Sequence, residues 1–159
     1  MNQSTLDVRN APIKIRRITD VLTYHWDEIR GDKPFPSIND LNADMLADVW
    51  SNCFIVQLKH IKNKENYSFA YFGEALQRAF ATDLTDTPVK YLISPHADHL
   101  ASQYEKVLQS QAPLTDCSVF ENRDHIKIYY RQVLLPLASD ENENEVGFIL
   151  GGMRYKLKP

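Results

Sequence analysis

Apolar residues recur at helical spacing near the start of the chain, between Ile15 and Arg30. Residues three to four positions apart share one face of an α-helix. Gly31 then supplies a C-terminal stop, and two prolines forbid regular structure in the following loop. The pattern predicts an amphipathic helix over about residues 15–30, and a short helical piece over about 41–49. The face of the first helix consists of Ile18, Leu22, Trp26 and Ile29.

In two stretches in the middle of the chain, successive side chains fall on alternate faces, as in β-strands. Residues 53–61 place Phe54 and Val56 on one face and Cys53 and Ile55 on the other, which predicts a first β-strand. The polar segment 62–66 then forms a turn, and residues 67–72 form the return strand. Gly73 ends this strand, and the segment EALQRAF after it predicts a helix.

The second half of the chain predicts one helix and three strands. Ser94 offers an N-cap hydroxyl and Pro95 suits the first helical position, so a helix runs from there to about Ser110. Strands follow over about 115–122, 125–137 and 146–156, and the acidic turn DENENE joins the last two into a hairpin. The order predicts an α+β fold: one antiparallel sheet with helices on one face and the leading helix available to cover the other.

Composition narrows the class of protein. A chain of 159 residues with 43% hydrophobic and 25% charged residues can bury a single core. A net charge of −3 argues against nucleic-acid binding, which needs a basic footprint. No apolar run approaches a membrane span or a secretory signal, and Cys53 and Cys117 do not make a disulfide framework. A reduced, cytoplasmic protein is therefore expected.

Short motifs of fixed spacing add a resemblance to a known family. They lie in the first helix, in the loop after it, before the middle helix and in the late hairpin: Trp26, Arg30-Gly31-Asp32-Lys33, Pro36-Ser37, Gly73, Asp83-Leu84-Thr85 and Leu135-Pro136-Leu137. Over about residues 20–155 the chain resembles the bacterial PAS-like family, in its single-domain branch formerly catalogued as a domain of unknown function. Two positions depart from the family pattern, since Ile38 replaces a usual Arg and Asp86 a usual Gly. An aspartate tolerates positive φ better than most residues do.

The resemblance implies a fold and a general role. It implies a PAS-like five-stranded antiparallel sheet with helices on one face and an N-terminal helix. We expect a flexible N-terminus over residues 1–14 and a single PAS-like domain over 15–157. The implied function is a non-enzymatic sensory or interaction module in cytoplasmic signal transduction, which binds a small molecule or a protein partner and forms a homodimer. The pattern names no cofactor.

Candidate catalytic and metal-binding groups have simpler explanations. His96 and His99 share a helical face, but a zinc site needs three or four ligands and the other histidines are scattered. Cys53 begins a strand, whereas the reactive cysteine of light-sensing PAS domains lies on a helix. Cys53 and His60 point to opposite faces of one strand, so they do not form a dyad. We expect no catalytic residue and no metal. A small α+β enzyme using His99 and Asp98 is the less favoured alternative.

One polar residue breaks the apolar pattern of a late strand. Gln132 falls on the same parity as Ile128 and Tyr130, so it points toward the predicted core. A buried amide without partners costs about 1–3 kcal/mol, which suggests a ligand, a water molecule or another side chain beside it. The hypothesis is a ligand pocket lined by Phe69, Tyr71, Phe80, Tyr130 and Gln132. The alternative is a packed aromatic core without a ligand, as in a structural scaffold or dimerisation adaptor.

The first helix offers a second hypothetical surface. Its apolar residues Leu22, Trp26 and Ile29 have polar neighbours, and PAS-like proteins often pair through such a helix. The sequence therefore predicts a dimer contact through these residues. The alternative is a helix that folds back on its own sheet.

Overall fold

The computed structural model describes residues 17–61, 64–92 and 95–158. The N-terminus predicted to be flexible, residues 1–14, lies outside the described residues, and so does Ser94. Three helices and five strands make up the regular structure of the described residues, with short 3₁₀ turns at 38–40, 50–52 and 89–91. In chain order they are α1 (Ile18–Arg30), β1 (Cys53–Ile61), β2 (Lys64–Phe72), α2 (Glu74–Phe80), α3 (His96–Ser110), β3 (Leu114–Glu121), β4 (Lys127–Ala138) and β5 (Val146–Lys158).

The strands form one antiparallel sheet in the order β2-β1-β5-β4-β3, which confirms the predicted α+β architecture. The predicted helical piece over 41–49 is wrong. Residues 43–49 form successive turns, since their backbone hydrogen bonds include three-residue steps such as Val49 N–H to the Leu46 carbonyl. Helix α3 begins one residue later than predicted, with Pro95 rather than a hydroxyl residue as its N-cap.

The sheet separates two apolar cores. We call the side covered by α2 and α3 the helical face, and the side covered by α1 the α1 face. The helical-face core includes Phe54, Phe69, Leu76, Phe80, Leu100, Tyr104, Phe120, Ile128, Tyr130 and Leu134. The α1-face core includes Ile18, Leu22, Trp26, Leu46, Cys53, Ile55, Val133, Leu135, Leu137 and Leu150. Adjacent strand residues point to opposite faces, so runs such as Val133–Leu135 contribute to both cores.

A β-bulge changes the pattern of β2. Ile55 pairs with Tyr71, but Val56 pairs with Phe69, which leaves Ala70 without an opposite residue. An extra residue in one strand reverses the parity of the side chains beyond it. Phe69 and Phe72 therefore both face the helical core, while Tyr71 points to the α1 face.

The family motifs in α1 and in the loop after it hold this helix and loop against the sheet. The Trp26 indole N–H donates to the Pro136 carbonyl at 2.7 Å, and the Ala138 amide donates to the Pro36 carbonyl at 2.8 Å. Asp40 closes the loop, because its carboxylate accepts from the Ser37 amide at 2.9 Å and from Lys33 Nζ at 2.6 Å. The hydrogen bond from Lys33 is the main cause that holds the pKa of Asp40 below its usual value.

The Asp83–Thr85 motif forms a tight turn against β2. Asp83 Oδ1 accepts from the Thr85 amide at 2.9 Å and from the Thr85 hydroxyl at 2.6 Å. Asp86 has φ 61° and donates its amide to the Phe69 carbonyl at 2.7 Å, so this position does require positive φ. The substitution of Asp for the usual Gly is compatible with the turn.

Candidate functional site

Polar side chains from β3, β4 and α3 meet within the helical face. Asp116 and Gln132 are directly opposite in the β3–β4 pairing, and both point toward α3. The first turn of α3 brings His96 and His99 over this pair, and Tyr130 lies two residues before Gln132 on β4. We call His96, His99, Asp116, Tyr130 and Gln132 the interior polar cluster.

Asp116 is the centre of this cluster. Its Oδ2 atom accepts a hydrogen bond from Gln132 Nε2 at 2.9 Å and lies 2.9 Å from His99 Nε2. A carboxylate oxygen accepts, so the tautomer of His99 that carries its proton on Nε2 donates in this contact. The Asp116 side chain is only 10% exposed, whereas that of His99 is 32% exposed. The pair therefore links a buried carboxylate to the protein surface.

Three polar atoms of the cluster are buried without a hydrogen-bond partner among the described residues: Gln132 Oε1, Tyr130 OH and His96 Nε2. The Tyr130 hydroxyl approaches Ser118 without forming a well-aligned hydrogen bond. Each buried unpaired group costs about 1–3 kcal/mol, and native structures contain few of them. Three such atoms around one carboxylate indicate a place where water or a small polar molecule completes the hydrogen bonding.

Burial favours the neutral form of three rings near Asp116. Burial lowers the pKa of His96 to about 4, assisted by the charge of His99 and opposed by Asp116. Burial also raises the pKa of Tyr130, and the nearby charge of Asp116 adds to this effect. Tyr104 is fully enclosed, and its pKa is raised well above the usual value for the same main reason. At neutral pH these three rings are uncharged hydrogen-bonding groups.

Aromatic rings close the cluster on its outer side. The His96 ring stacks on Phe120 with centroids 4.3 Å apart and meets the edge of Tyr130 at 5.6 Å. A cavity of about 30 Å³ is bordered by Phe80, His96, Phe120 and Asn122, so of the cluster it touches His96 and not Asp116, Tyr130 or Gln132. This volume holds about two water molecules.

The structure brings together four of the five residues predicted to line a pocket. Phe69, Phe80, Tyr130 and Gln132 all lie on the helical face. Tyr71 does not, because the bulge at Ala70 turns it to the α1 face. There it stacks on Trp50 at 4.7 Å and donates its hydroxyl to the Trp50 carbonyl at 3.0 Å. Sequence reasoning missed Asp116, although its parity with Phe120 placed a carboxylate on the inward side of β3.

The predicted dimer contact requires a correction. Leu22 and Trp26 are buried in the α1-face core of their own chain, and Ile29 is half-buried. The helix therefore folds back on its own sheet, which was the alternative. Leu22 and Trp26 are already covered and cannot supply an intermolecular surface while α1 is docked.

The cysteines and histidines considered as catalytic or metal-binding candidates have the following surroundings in the part of the chain that the structure describes. Cys53 is buried, its thiol contacts the Val49 carbonyl, and burial raises its pKa to about 12. Cys117 lies exposed on β3, so both cysteines are on strands. His99 contacts Asp116, and no group of three potential metal ligands is present among the described residues.

A five-stranded antiparallel sheet with crossover helices between β2 and β3 is the fold of PAS and light-oxygen-voltage domains. A family model described as the PAS domain matches residues 15–153, so the chain belongs to the PAS domain family. This result confirms the resemblance seen in the sequence. Domains of this family are typically sensory rather than catalytic, and they mediate ligand binding or protein interaction.

Solved structures show the same fold at low sequence identity. A light-oxygen-voltage domain from a study of a flavin analogue has TM-score 0.53 and 13% identity, covering 71% of this chain and 82% of that chain. The Aureochrome1 blue-light photoreceptor domain in its dark state has TM-score 0.51 and 9% identity, covering 70% and 79%. Its light state has TM-score 0.51 and 9% identity, covering 73% and 89%.

No curated protein matches the chain. Among the described helices, none combines the length and the apolar character needed to cross a membrane.

Proposed function

We propose that the chain is a non-enzymatic sensory and interaction module of cytoplasmic signal transduction, with residues 15–157 as its single domain. Its sensory site is the interior polar cluster. The observation that carries this proposal is the group of three buried, unpartnered polar atoms around Asp116. In this view a small polar molecule completes their hydrogen bonding.

The cluster defines the chemistry of such a ligand. Gln132 Oε1 accepts a hydrogen bond, so the ligand carries at least one N–H or O–H donor. Tyr130 OH can donate or accept, and neutral His96 Nε2 does either according to its tautomer. The ligand is compact and polar, since aromatic rings enclose the hydrogen-bonding atoms of the cluster.

The sensory mechanism we propose is a population shift of α3. A ligand that binds one arrangement of α3 on the sheet more tightly increases its population. The His99–Asp116 contact joins α3 to β3, so it depends directly on the position of the helix. A protein partner then recognises the favoured arrangement.

A second candidate is a structural scaffold or dimerisation adaptor with a filled core. It is favoured by the small cavity and by the dense contacts among Phe69, Phe72, Phe80 and Phe120. In this alternative, ordered water alone satisfies the three polar atoms. Self-association is part of both candidates, through a surface other than Leu22 and Trp26, and light scattering measures it.

Native mass spectrometry of freshly purified protein separates the two candidates. The sensory proposal expects an added mass from a co-purified small molecule, or a ligand found by thermal-shift screening of polar metabolites. Gln132→Leu should abolish the added mass or the thermal shift, while Gln109→Leu on the exposed side of α3 should leave it intact. If Gln132→Leu retained ligand binding, the interior polar cluster would not be the sensory site.

A further inference from the structure

The far end of the β4–β5 hairpin carries a concentration of positive charge. Lys127 pairs with Lys158, and Arg131 pairs with Arg154, each directly across the two strands. Lys156 lies between these pairs, opposite Tyr129. We call Lys127, Arg131, Arg154, Lys156 and Lys158 the basic strip. All five side chains are exposed and point to the α1 face of the sheet.

Helix α1 leaves this end of its face uncovered. The outward residues of β3 alternate with buried ones, so Cys117 and Val119 are exposed beside the basic strip. A groove of about 570 Å³ lies between the first turn of α1 and the strands. Its lining includes Thr19, Cys117, Tyr129, Arg131, Arg154 and Lys156.

The arrangement is electrostatically unfavourable in the isolated chain. Like charges directly opposite in a sheet destabilise it, and the whole chain has a net charge of −3. None of the five cations forms an ion pair with another residue that the structure describes. On the neighbouring strand β3, Glu121 points to the same face and contacts His125. An anionic partner would relieve this repulsion.

We propose that the basic strip is a docking site for an acidic segment of a partner protein, bound in an extended conformation along β4 and β5. This proposal rests on the interaction role proposed above and supplies the chemistry of the partner. Successive levels of the strip are two residues apart, or about 7 Å along the strands. An extended peptide with acidic residues at alternate positions presents its carboxylates at the same spacing.

The groove also offers contacts beyond charge. Tyr129 and Val119 are 44% and 46% exposed, and they lie on the same face as the arginines. Tyrosine and arginine are enriched at the centres of protein interfaces, where arginine binds carboxylates through paired hydrogen bonds. The acidic overall charge of the chain disfavours a nucleic acid as the occupant.

The chain itself contains one alternating acidic segment. Glu141, Glu143 and Glu145 lie in the loop that joins β4 to β5. This loop is at the opposite end of the hairpin, roughly 30 Å from Arg131, so it cannot reach the strip of its own chain. A second copy could present it, and the experiment must separate that occupant from a partner protein.

Fluorescence anisotropy with a labelled ten-residue peptide of alternating Glu and Thr tests the proposal on the full chain. We compare wild type with the double variant Arg154→Glu/Lys156→Glu. The matched control is Arg78→Glu/Lys106→Glu, which makes the same charge change on exposed helical positions of the other face. Circular dichroism checks that all variants fold.

The proposal expects binding to wild type and to the control variant, and at least about tenfold weaker binding to the strip variant. Binding should weaken between about 50 mM and about 200 mM salt, since exposed charges are screened. A peptide of the same composition with its glutamates in one block should bind more weakly. Equal binding by the strip and control variants, or by the two peptides, would overturn the proposal.

Sedimentation of concentrated wild type tests the second copy as occupant. If the chain associates, and both the strip variant and Glu141→Gln/Glu143→Gln/Glu145→Gln dissociate it, the strip serves self-association and the partner proposal is wrong. A wild type that binds the alternating peptide, and whose state of association neither variant changes, supports the partner.

The Gln132→Leu variant separates this inference from the sensory site. Residue 132 lies on the other face of the sheet, so this variant should bind the acidic peptide as wild type does. Loss of peptide binding in the strip variant with an intact interior ligand would therefore assign the two activities to separate faces. If the wild type bound an interior ligand but not the peptide, the docking-site proposal would be wrong and the sensory proposal would stand.

Discussion

Both faces of the sheet carry an apolar core, but the two faces differ in how their buried polar groups are hydrogen-bonded. On the α1 face several buried polar groups find partners within the chain: Trp26 donates to the Pro136 carbonyl, Tyr71 to the Trp50 carbonyl, and His25 Nε2 accepts from the Asn42 amide. On the helical face three unpartnered atoms collect around Asp116. Among the described residues, Arg30 Nε on α1 and Ser68 Oγ on β2 are also buried without a partner, so the two faces differ in the clustering of such atoms around one carboxylate.

This difference separates anchoring from sensing. The motifs by which the family is recognised lie mostly in α1 and the loop after it, where their side chains hold the helix and loop against β4. They identify the fold without contributing to the interior polar cluster. The helical face instead gathers three unsatisfied polar atoms around one carboxylate, which stable packing alone does not explain. Three pairs of variants test this division.

Trp26→Ala should have the largest effect, because it removes the main anchor of the α1 face. The indole is buried, and its loss also leaves the Pro136 carbonyl without its donor. Large aromatic-to-alanine changes in a core cost about 3–5 kcal/mol. Urea unfolding measures this free energy.

Met45→Ala is the control for Trp26→Ala, since Met45 is 62% exposed and should change stability by less than about 0.5 kcal/mol. A Trp26→Ala loss below about 1 kcal/mol would mean that α1 is not held by this contact.

Acid should destabilise the helical face through His96. Its pKa is lowered to about 4 by burial, so the unfolded chain, with an ordinary histidine pKa, binds the proton more strongly. The stabilisation is complete above the unfolded pKa and is lost as pH falls toward 4. It amounts to at most about 3 kcal/mol by linkage. Unfolding of wild type and His96→Phe between about pH 7 and about pH 4.5 measures it, and the variant should show a flatter pH dependence.

His25 provides the matched comparison on the α1 face. Burial also lowers its pKa, although the charge of Glu28 opposes the shift, so its contribution has the same sign. His25→Phe should flatten the pH dependence less than His96→Phe does. The reverse order would contradict the assignment of the acid sensitivity to the helical face.

Two neighbouring glycines of β5 give the smallest and most closely matched test. A methyl group at Gly151 would overlap the Phe54 ring, and one at Gly152 would overlap the end of the Leu22 side chain. The Phe54 ring is confined within the aromatic core, whereas the Leu22 methyl can turn. Gly151→Ala should therefore cost about 2–3 kcal/mol and Gly152→Ala about 1 kcal/mol. Thermal unfolding measures the stability that each variant loses. Equal losses would mean that the two cores accommodate an added methyl group equally well.

The periodicity of the chain predicted most of the fold, since alternation in β1 and helical spacing in α1 are local properties. The failures have specific causes. Residues 41–49 have apolar positions at helical spacing, but successive turns bury Leu46 and Val49 in the α1-face core without a helix. Tyr71 was placed on the wrong face because a single unpaired residue, Ala70, reverses strand parity without any sequence signature.

The sequence by itself determined the family, the sheet and the inward direction of Gln132, because these follow from local spacing and strand parity. Only the tertiary structure decided that Asp116 is the partner of Gln132 and His99, since this depends on the pairing of β3 with β4 and on the docking of α3. It also decided that α1 covers its own sheet and that five scattered cations form one strip. Contacts between residues far apart in the chain depend on register and packing, which local patterns do not encode.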